Sequence, residues 1–187
     1  DEGVLRTVLV DGAGAETTSG DVDPATSAWL ERWWPDVAAG DRAEAGPARD
    51  AAWLACVRRL AAGTALAVDY GHVRDERTSG RFGAGTLVGY RDGRLTSPVP
   101  DGSTNLTAHV AFDSLVAALD DEPGASVVLS RQREALRPLG VSAVLPPSAL
   151  ARTDPQAYAD ALEEASYASE LLDPAGLGAF RWLRVDS

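Results

Sequence analysis

Few side chains in this sequence can exchange a proton near neutral pH. There are two histidines, His72 and His109, and imidazole is the group whose charge changes there. His109 lies in "NLTAHVAF" (105–112), where Leu106, Ala108, Val110 and Phe112 alternate with Asn105, Thr107, His109 and Ala111. An extended chain turns successive side chains to opposite faces, which puts Asn105, Thr107 and His109 on one side. Such a side either satisfies hydrogen bonds inside a core or lines a site. A second candidate closes the apolar run "TALAVDYG" (64–71): Asp69, Tyr70 and Gly71. Gly71 allows a sharp turn or a close approach of the backbone to a ligand. Asp69 is either a site carboxylate or a turn former or helix cap.

These residues need elements to hold them. A run without alternation suits a strand covered on both faces, so 64–71 is expected to be a central strand of a parallel sheet. Asp69-Tyr70-Gly71 then fall at its carboxyl end, where ligands bind in open α/β sheets. The preceding "GPARDAAWLACVRRLAAG" (46–63) has Pro47 at its start and Gly63 at its end, the punctuation of a helix. Helix followed by such a strand is an α/β signature. Cys56 flanks that helix's stripe of Trp53, Val57 and Leu60 and is expected to be a packed thiol. Residues 4–10 read as a strand running into the turn "DGAG". "DPATSAWLERWWP" (23–35) reads as a helix closed by Pro35, with Trp29, Leu30, Trp33 and Trp34 as a wedge into the core. Further on, "HVRDERTSGRFGAG" (72–85) reads as a long polar surface loop and 86–95 as a hairpin around Asp92-Gly93. Helices are expected over 112–119, over 130–140 with Ser130 as cap, and over 154–172. Strands are expected at 125–129 and 179–185.

Composition narrows the function. The chain has 187 residues, 45% hydrophobic and 24% charged, enough for one domain with a sizeable core. A net charge of −11 argues against nucleic acid or an anionic membrane as partner, since both need clustered cations. One cysteine excludes an intrachain disulfide and a Cys-rich metal cage. No His-x-x-His spacing suggests a metal site, and no Gly-x-Ser-x-Gly elbow or P-loop is present. There is no apolar run of about 18 residues and no signal-peptide pattern, so a cytoplasmic protein is expected. All seventeen basic residues are arginine, and lysine, isoleucine and methionine are missing altogether. Their codons are A/T-rich, which points to a bacterial genome of high GC content. The missing initiator Met leads us to expect a fragment.

Five stretches taken in order carry a resemblance. "LAVDYGH", "GTLVGY", "NLTAHVAF", "RQREALRPLG" and "DPAGLGAFRWL" resemble the MidA-like family of S-adenosylmethionine-dependent methyltransferases, which includes the mitochondrial complex I assembly factor that methylates arginine. The likeness runs from Arg42-Ala43-Glu44, similar to the family's Arg-x-Glu, to Trp182. It implies an α/β fold: the C-terminal half of a Rossmann-like class I methyltransferase sheet with helices on both faces. Within it, 1–45 would be an insert or cap of one strand and the Trp-rich helix, and 46–187 would complete the sheet. The family's glycine-rich cofactor loop has no counterpart in the 187 residues, which again implies a fragment, inactive alone. The resemblance implies S-adenosylmethionine as cofactor, bordered here by Tyr70 and Gly71. It also implies Asp69, Thr107 and His109 as catalytic residues, and Asn105, Glu44 and Gln132 as substrate-binding ones. The partner would be a protein substrate, with a homodimer as one assembly open to it.

Two departures bear on the chemistry. Methyl transfer from a sulfonium needs in-line placement, and a cationic acceptor needs carboxylates to bind it and take its proton. Where the family pattern has Asp, this chain has Asn105 and Ala111. Position 111 immediately precedes a helix, so the family's Asp there can be a helix cap alone. Asn105 keeps shape and hydrogen bonding without charge. These losses, with the Trp cluster, support a rival reading as a non-catalytic protein-interaction module derived from a methyltransferase. A hydrolase built on Asp69 and His109 lacks any nucleophile motif.

Overall fold

The computed structural model describes residues 4–187. In chain order its strands and helices begin with β1 (Arg6–Val10), β2 (Glu16–Asp21), α1 (Pro24–Trp33), α2 (Pro47–Val57) and β3 (Thr64–Asp69). There follow β4 (Gly71–His72), α3 (Arg74–Arg77), β5 (Val88–Arg91), β6 (Arg94–Thr96), β7 (Asn105–Thr107), β8 (Val110–Ala111) and α4 (Phe112–Ala117). The rest are β9 (Ser126–Arg131), α5 (Gln132–Leu136), α6 (Leu150–Thr153), α7 (Pro155–Leu172) and β10 (Arg181–Asp186). Among the described residues the strands form four small sheets, of two, three, two and three strands. The class is mixed α/β, as expected.

The chain folds into two compact units. One holds the chain through Arg59 together with Gly71–Asp121; the other holds Leu60–Tyr70 with Glu122–Ser187. The β1 strand and the Trp-rich helix thus share a unit with the "NLTAHVAF" segment.

In the first unit, α1 starts where the Asp23 carboxylate accepts from the backbone of Ala25 and Thr26, with Pro24 in its first turn. Its wedge forms as the spacing predicts: Leu30 and Trp34 are buried with Phe82, and Trp29 and Trp33 pack against them. The β1 strand pairs with β2, for which the sequence carries no apolar signal. The β5–β6 hairpin turns at Asp92 and Gly93, both at positive φ, as a two-residue hairpin turn requires. The expected helix over 46–63 is shorter, ending at Val57. Gly63 already exchanges both backbone hydrogen bonds with Ser187, so the chain must leave the helix early to enter that ladder. Cys56 is exposed rather than packed, because α2 buries Asp50 and Val57, two turns apart, and Cys56 points away from that line. The region 72–85 is not simply loop, since it supplies β4 and α3 and buries His72 and Arg77.

In the second unit, β10 lies between β3 and β9 and runs antiparallel to both. The expectation of a parallel sheet with 64–71 at its centre is therefore corrected: β3 is an outer strand of an antiparallel sheet. Its burial alternates, with Leu66 and Val68 exposed, so its apolar run does not mark cover on both faces. The central strand is the one whose sequence alternates, β10, with Leu183 and Val185 fully buried. Since both neighbours oppose β10, β3 and β9 point the same way. Ser130 ends inside β9 rather than capping α5; instead the Glu134 carboxylate accepts from the Arg131 backbone at 3.0 Å, the return half of a capping box.

Candidate functional site

The segment 105–112 is not one strand. Asn105–Thr107 pairs with β5, while Val110–Ala111 pairs in parallel with β4. The chain changes sheets at Ala108-His109, so the side-to-side alternation expected across 105–111 does not run unbroken. Thr107 and His109 are half-buried and Asn105 is exposed. Ala111 is 2% exposed and sits at the N-cap position of α4 with no side-chain cap. Position 111 therefore belongs to the packed end of a helix, and it leaves the set of residues that can face an acceptor.

The break leaves the His109 backbone N–H outside both ladders, and another stretch takes it up. His109 N donates to the Thr86 hydroxyl at 2.8 Å. That hydroxyl donates to the Glu44 carboxylate at 2.5 Å, and the same carboxylate accepts from Thr86 N at 2.5 Å and Leu87 N at 2.9 Å. Arg42 N donates to Gly83 O, and the Arg42 guanidinium pairs with the Glu16 carboxylate. Glu44, expected to bind substrate, thus spends its charge on three donors of the 86–87 turn. Thr86, 8% exposed, is the residue that sequence reasoning missed. Its signal was present, since "GTLVGY" was among the stretches carrying the resemblance.

His72 lies deeper than a loop residue should. It is 1% exposed, and its ring stands 5.3 Å from Trp34, 4.7 Å from Phe82 and 6.1 Å from His109. The Arg77 guanidinium approaches His72 Nδ1 at 2.9 Å. Arginine only donates, so Nδ1 accepts and the imidazole is neutral with its proton on Nε2. Burial, then the positive charge of Arg77, then His109, push its pKa down to about 4. Arg77 also donates to Trp33 O at 2.6 Å and grips Asp113 with two nitrogens, at 2.6 and 3.1 Å. Its side chain is 1% exposed against 18% for Asp113, and the Trp34 ring lies 5.5 Å from its guanidinium carbon. The two histidines and Phe82 thus form one aromatic group, with Phe82 also 5.7 Å from His109.

Asp69 and Tyr70 belong to the second unit and Gly71 to the first. The Asp69 carboxylate accepts from Tyr70 N at 2.8 Å, and Asp69 stands opposite Arg181 in the β3–β10 ladder. The Tyr70 ring meets Phe180 edge-on at 5.6 Å. Gly71 is required by a close approach, but to protein rather than ligand. A Cβ there would collide with Val110 O and lie 2.8 Å from the Phe112 ring. Gln132, 7% exposed, donates to Leu171 O at 3.1 Å and accepts from the Trp182 indole at 3.2 Å. Its amide is committed at both ends to holding the end of α7 against β10. Of the predicted residues, Asn105, Thr107, His109 and Glu44 fall in one unit, and Glu44 and His109 meet through Thr86. Gly71 is half-buried, and the space a side chain would take there is filled by Val110 and Phe112. Among the described residues no three His, Cys, Asp or Glu gather as metal ligands, and no helix is long and apolar enough to cross a membrane.

Comparison with known proteins gives three findings. The model of a family described as "Putative S-adenosyl-L-methionine-dependent methyltransferase" matches residues 2–130. A crystal structure of an uncharacterised protein from Burkholderia thailandensis is 25% identical at a TM-score of 0.70, covering 97% of this chain and 48% of its own. Another from the same organism, bound to S-adenosyl-homocysteine, is 25% identical at a TM-score of 0.68, covering 97% of this chain and 46% of its own. The chain therefore spans about half the length of these solved proteins. No curated protein matches it.

Proposed function

We propose, from the premise that this chain belongs to that S-adenosyl-L-methionine-dependent methyltransferase family, that it is the C-terminal half of a MidA-like enzyme. The acceptor would be a protein side chain of the arginine type and the setting a bacterial cytoplasm. The observation that carries the reading is a likeness: a protein similar over 97% of this chain holds S-adenosyl-homocysteine, the product left when the cofactor gives up its methyl group. We assign the main cofactor loop to residues outside these 187, because among the described residues no glycine-rich turn leads from a strand into a helix.

Within the first unit, His109 and Thr107 orient the acceptor and Asn105 offers hydrogen bonds without charge; for Asp69, in the second unit, the role of drawing the acceptor's positive charge is carried by the family likeness and not by a shared site. Glu44 and Gln132 act through what they hold, the 86–87 turn and the end of α7. Methyl transfer by the longer protein tests the assignment. His109→Ala is expected to lower kcat/KM by about 100-fold, the scale of losing a placed acid–base or orienting group, and Asp69→Asn to weaken acceptor binding. Activity untouched by both removes this site. Calorimetry with S-adenosyl-homocysteine on the 187-residue chain is expected to show no tight binding; tight binding overturns the assignment of the loop. Asn105 and Ala111 favour a second reading, a non-catalytic interaction module. A longer protein that neither binds S-adenosyl-homocysteine nor transfers methyl groups decides for it.

A further inference from the structure

We infer that Thr86 is a positioning residue for His109, its hydroxyl fixing the backbone from which the candidate imidazole projects; the inference rests on the role proposed for His109. Three geometric facts lead there. The His109 N–H falls between the residues that the β7 and β8 ladders pair. The Thr86 hydroxyl accepts from it at 2.8 Å. Its single proton is already directed to Glu44 at 2.5 Å, so its lone pairs are what face His109.

Glu44 makes the arrangement one-way. Its carboxylate also accepts from Thr86 N and Leu87 N, and charge-assisted bonds of this kind are short and directional. The turn carrying Thr86 therefore cannot rotate the hydroxyl away without breaking bonds to a carboxylate. On the ring side, Phe82 lies 5.7 Å from His109, tilted by 66°, and rests in turn on the buried His72 at 4.7 Å. Thr86 thus sets the imidazole through its backbone, and Phe82 meets its ring. An orienting group misplaced by about 1 Å loses on the order of 100-fold in rate, which is why a hydroxyl remote from the acceptor matters.

Thr86→Val keeps the shape and removes the hydroxyl, whereas Thr86→Ser keeps it. In the longer protein, Thr86→Val is expected to lower kcat by about 100-fold with S-adenosyl-homocysteine affinity by calorimetry unchanged, and Thr86→Ser to stay within about 3-fold of wild type. A fall in kcat and in affinity together, an unchanged kcat in Thr86→Val, or a Ser variant as poor as Val overturns the inference. In the 187-residue chain, hydrogen exchange at the His109 amide is expected to be slow in wild type and Thr86→Ser and fast in Thr86→Val. An amide equally protected in all three overturns the tie itself. The two failures separate cleanly: if His109→Ala is fully active, the role given to His109 falls, while the exchange measurement still decides whether Thr86 holds it.

Discussion

At the scale of single residues, the polar groups nearest the candidate histidine are occupied by the protein itself. His72 illustrates the cost. In the unfolded chain its imidazole takes a proton near pH 6.5, whereas the folded one refuses it until about 4. Between these values the unfolded state holds more protons, so stability rises with pH across that window and is complete above it. The full effect is on the order of 3 kcal/mol. Urea unfolding at pH 4.5 and pH 7 should show it, and His72→Gln, which still accepts from Arg77, should flatten the difference; an unchanged difference assigns the pH dependence elsewhere. Asp113 is the counterpart. Asp113→Ala leaves the buried Arg77 guanidinium uncompensated and is expected to cost about 3–5 kcal/mol in urea unfolding, and a double replacement of Arg77 and Asp113 by leucine should recover much of it. None of this was legible from residue types. "HVRDER" reads as solvated polar chain, and nothing local tells that Arg77 folds inward to Asp113, which lies 36 residues away. The family likeness implies Glu44 and Gln132 as substrate-binding, whereas their carboxylate and amide bond within the protein, because a buried turn or helix end needs its donors and acceptors met as urgently as a substrate does.

Secondary-structure elements were more readable, and the reasons for the misses are physical. Proline and aspartate mark the starts of α1 and α7, and Asp92-Gly93 marks the hairpin, since these signals act within a few residues. What failed depended on partners far along the chain: β2, whose exposed "ETTSGD" has no apolar alternation, and β3, whose neighbour is 112 positions on in register (Asp69 with Arg181). Glycines show both cases. Gly93 stands in open space at φ +73, so Gly93→Ala costs only backbone strain, about 1 kcal/mol. Gly71→Ala must instead push β4 away from β8 and the Phe112 ring and is expected to cost about 1–3 kcal/mol. Thermal unfolding of the two variants checks the order, and a larger loss at Gly93 contradicts it.

For the molecule as a whole, each compact unit is assembled from two separated stretches of chain, so neither is a contiguous piece of sequence. The resemblance, by contrast, was legible at this scale, because five short motifs in order survive changes that erase any one of them. Among the described residues, β3 and β9 each have β10 as their sheet neighbour. Deleting 181–187 is expected to remove hydrogen-exchange protection from both 64–69 and 126–131. Protection that persists in either strand would mean another partner takes the place of β10. A chain emerging from the ribosome meets the same constraint in time. Residue 69 is made 112 positions ahead of its partner in register, Arg181, so for that interval the apolar strand lacks its neighbour. Chaperone binding during translation would be expected to centre there.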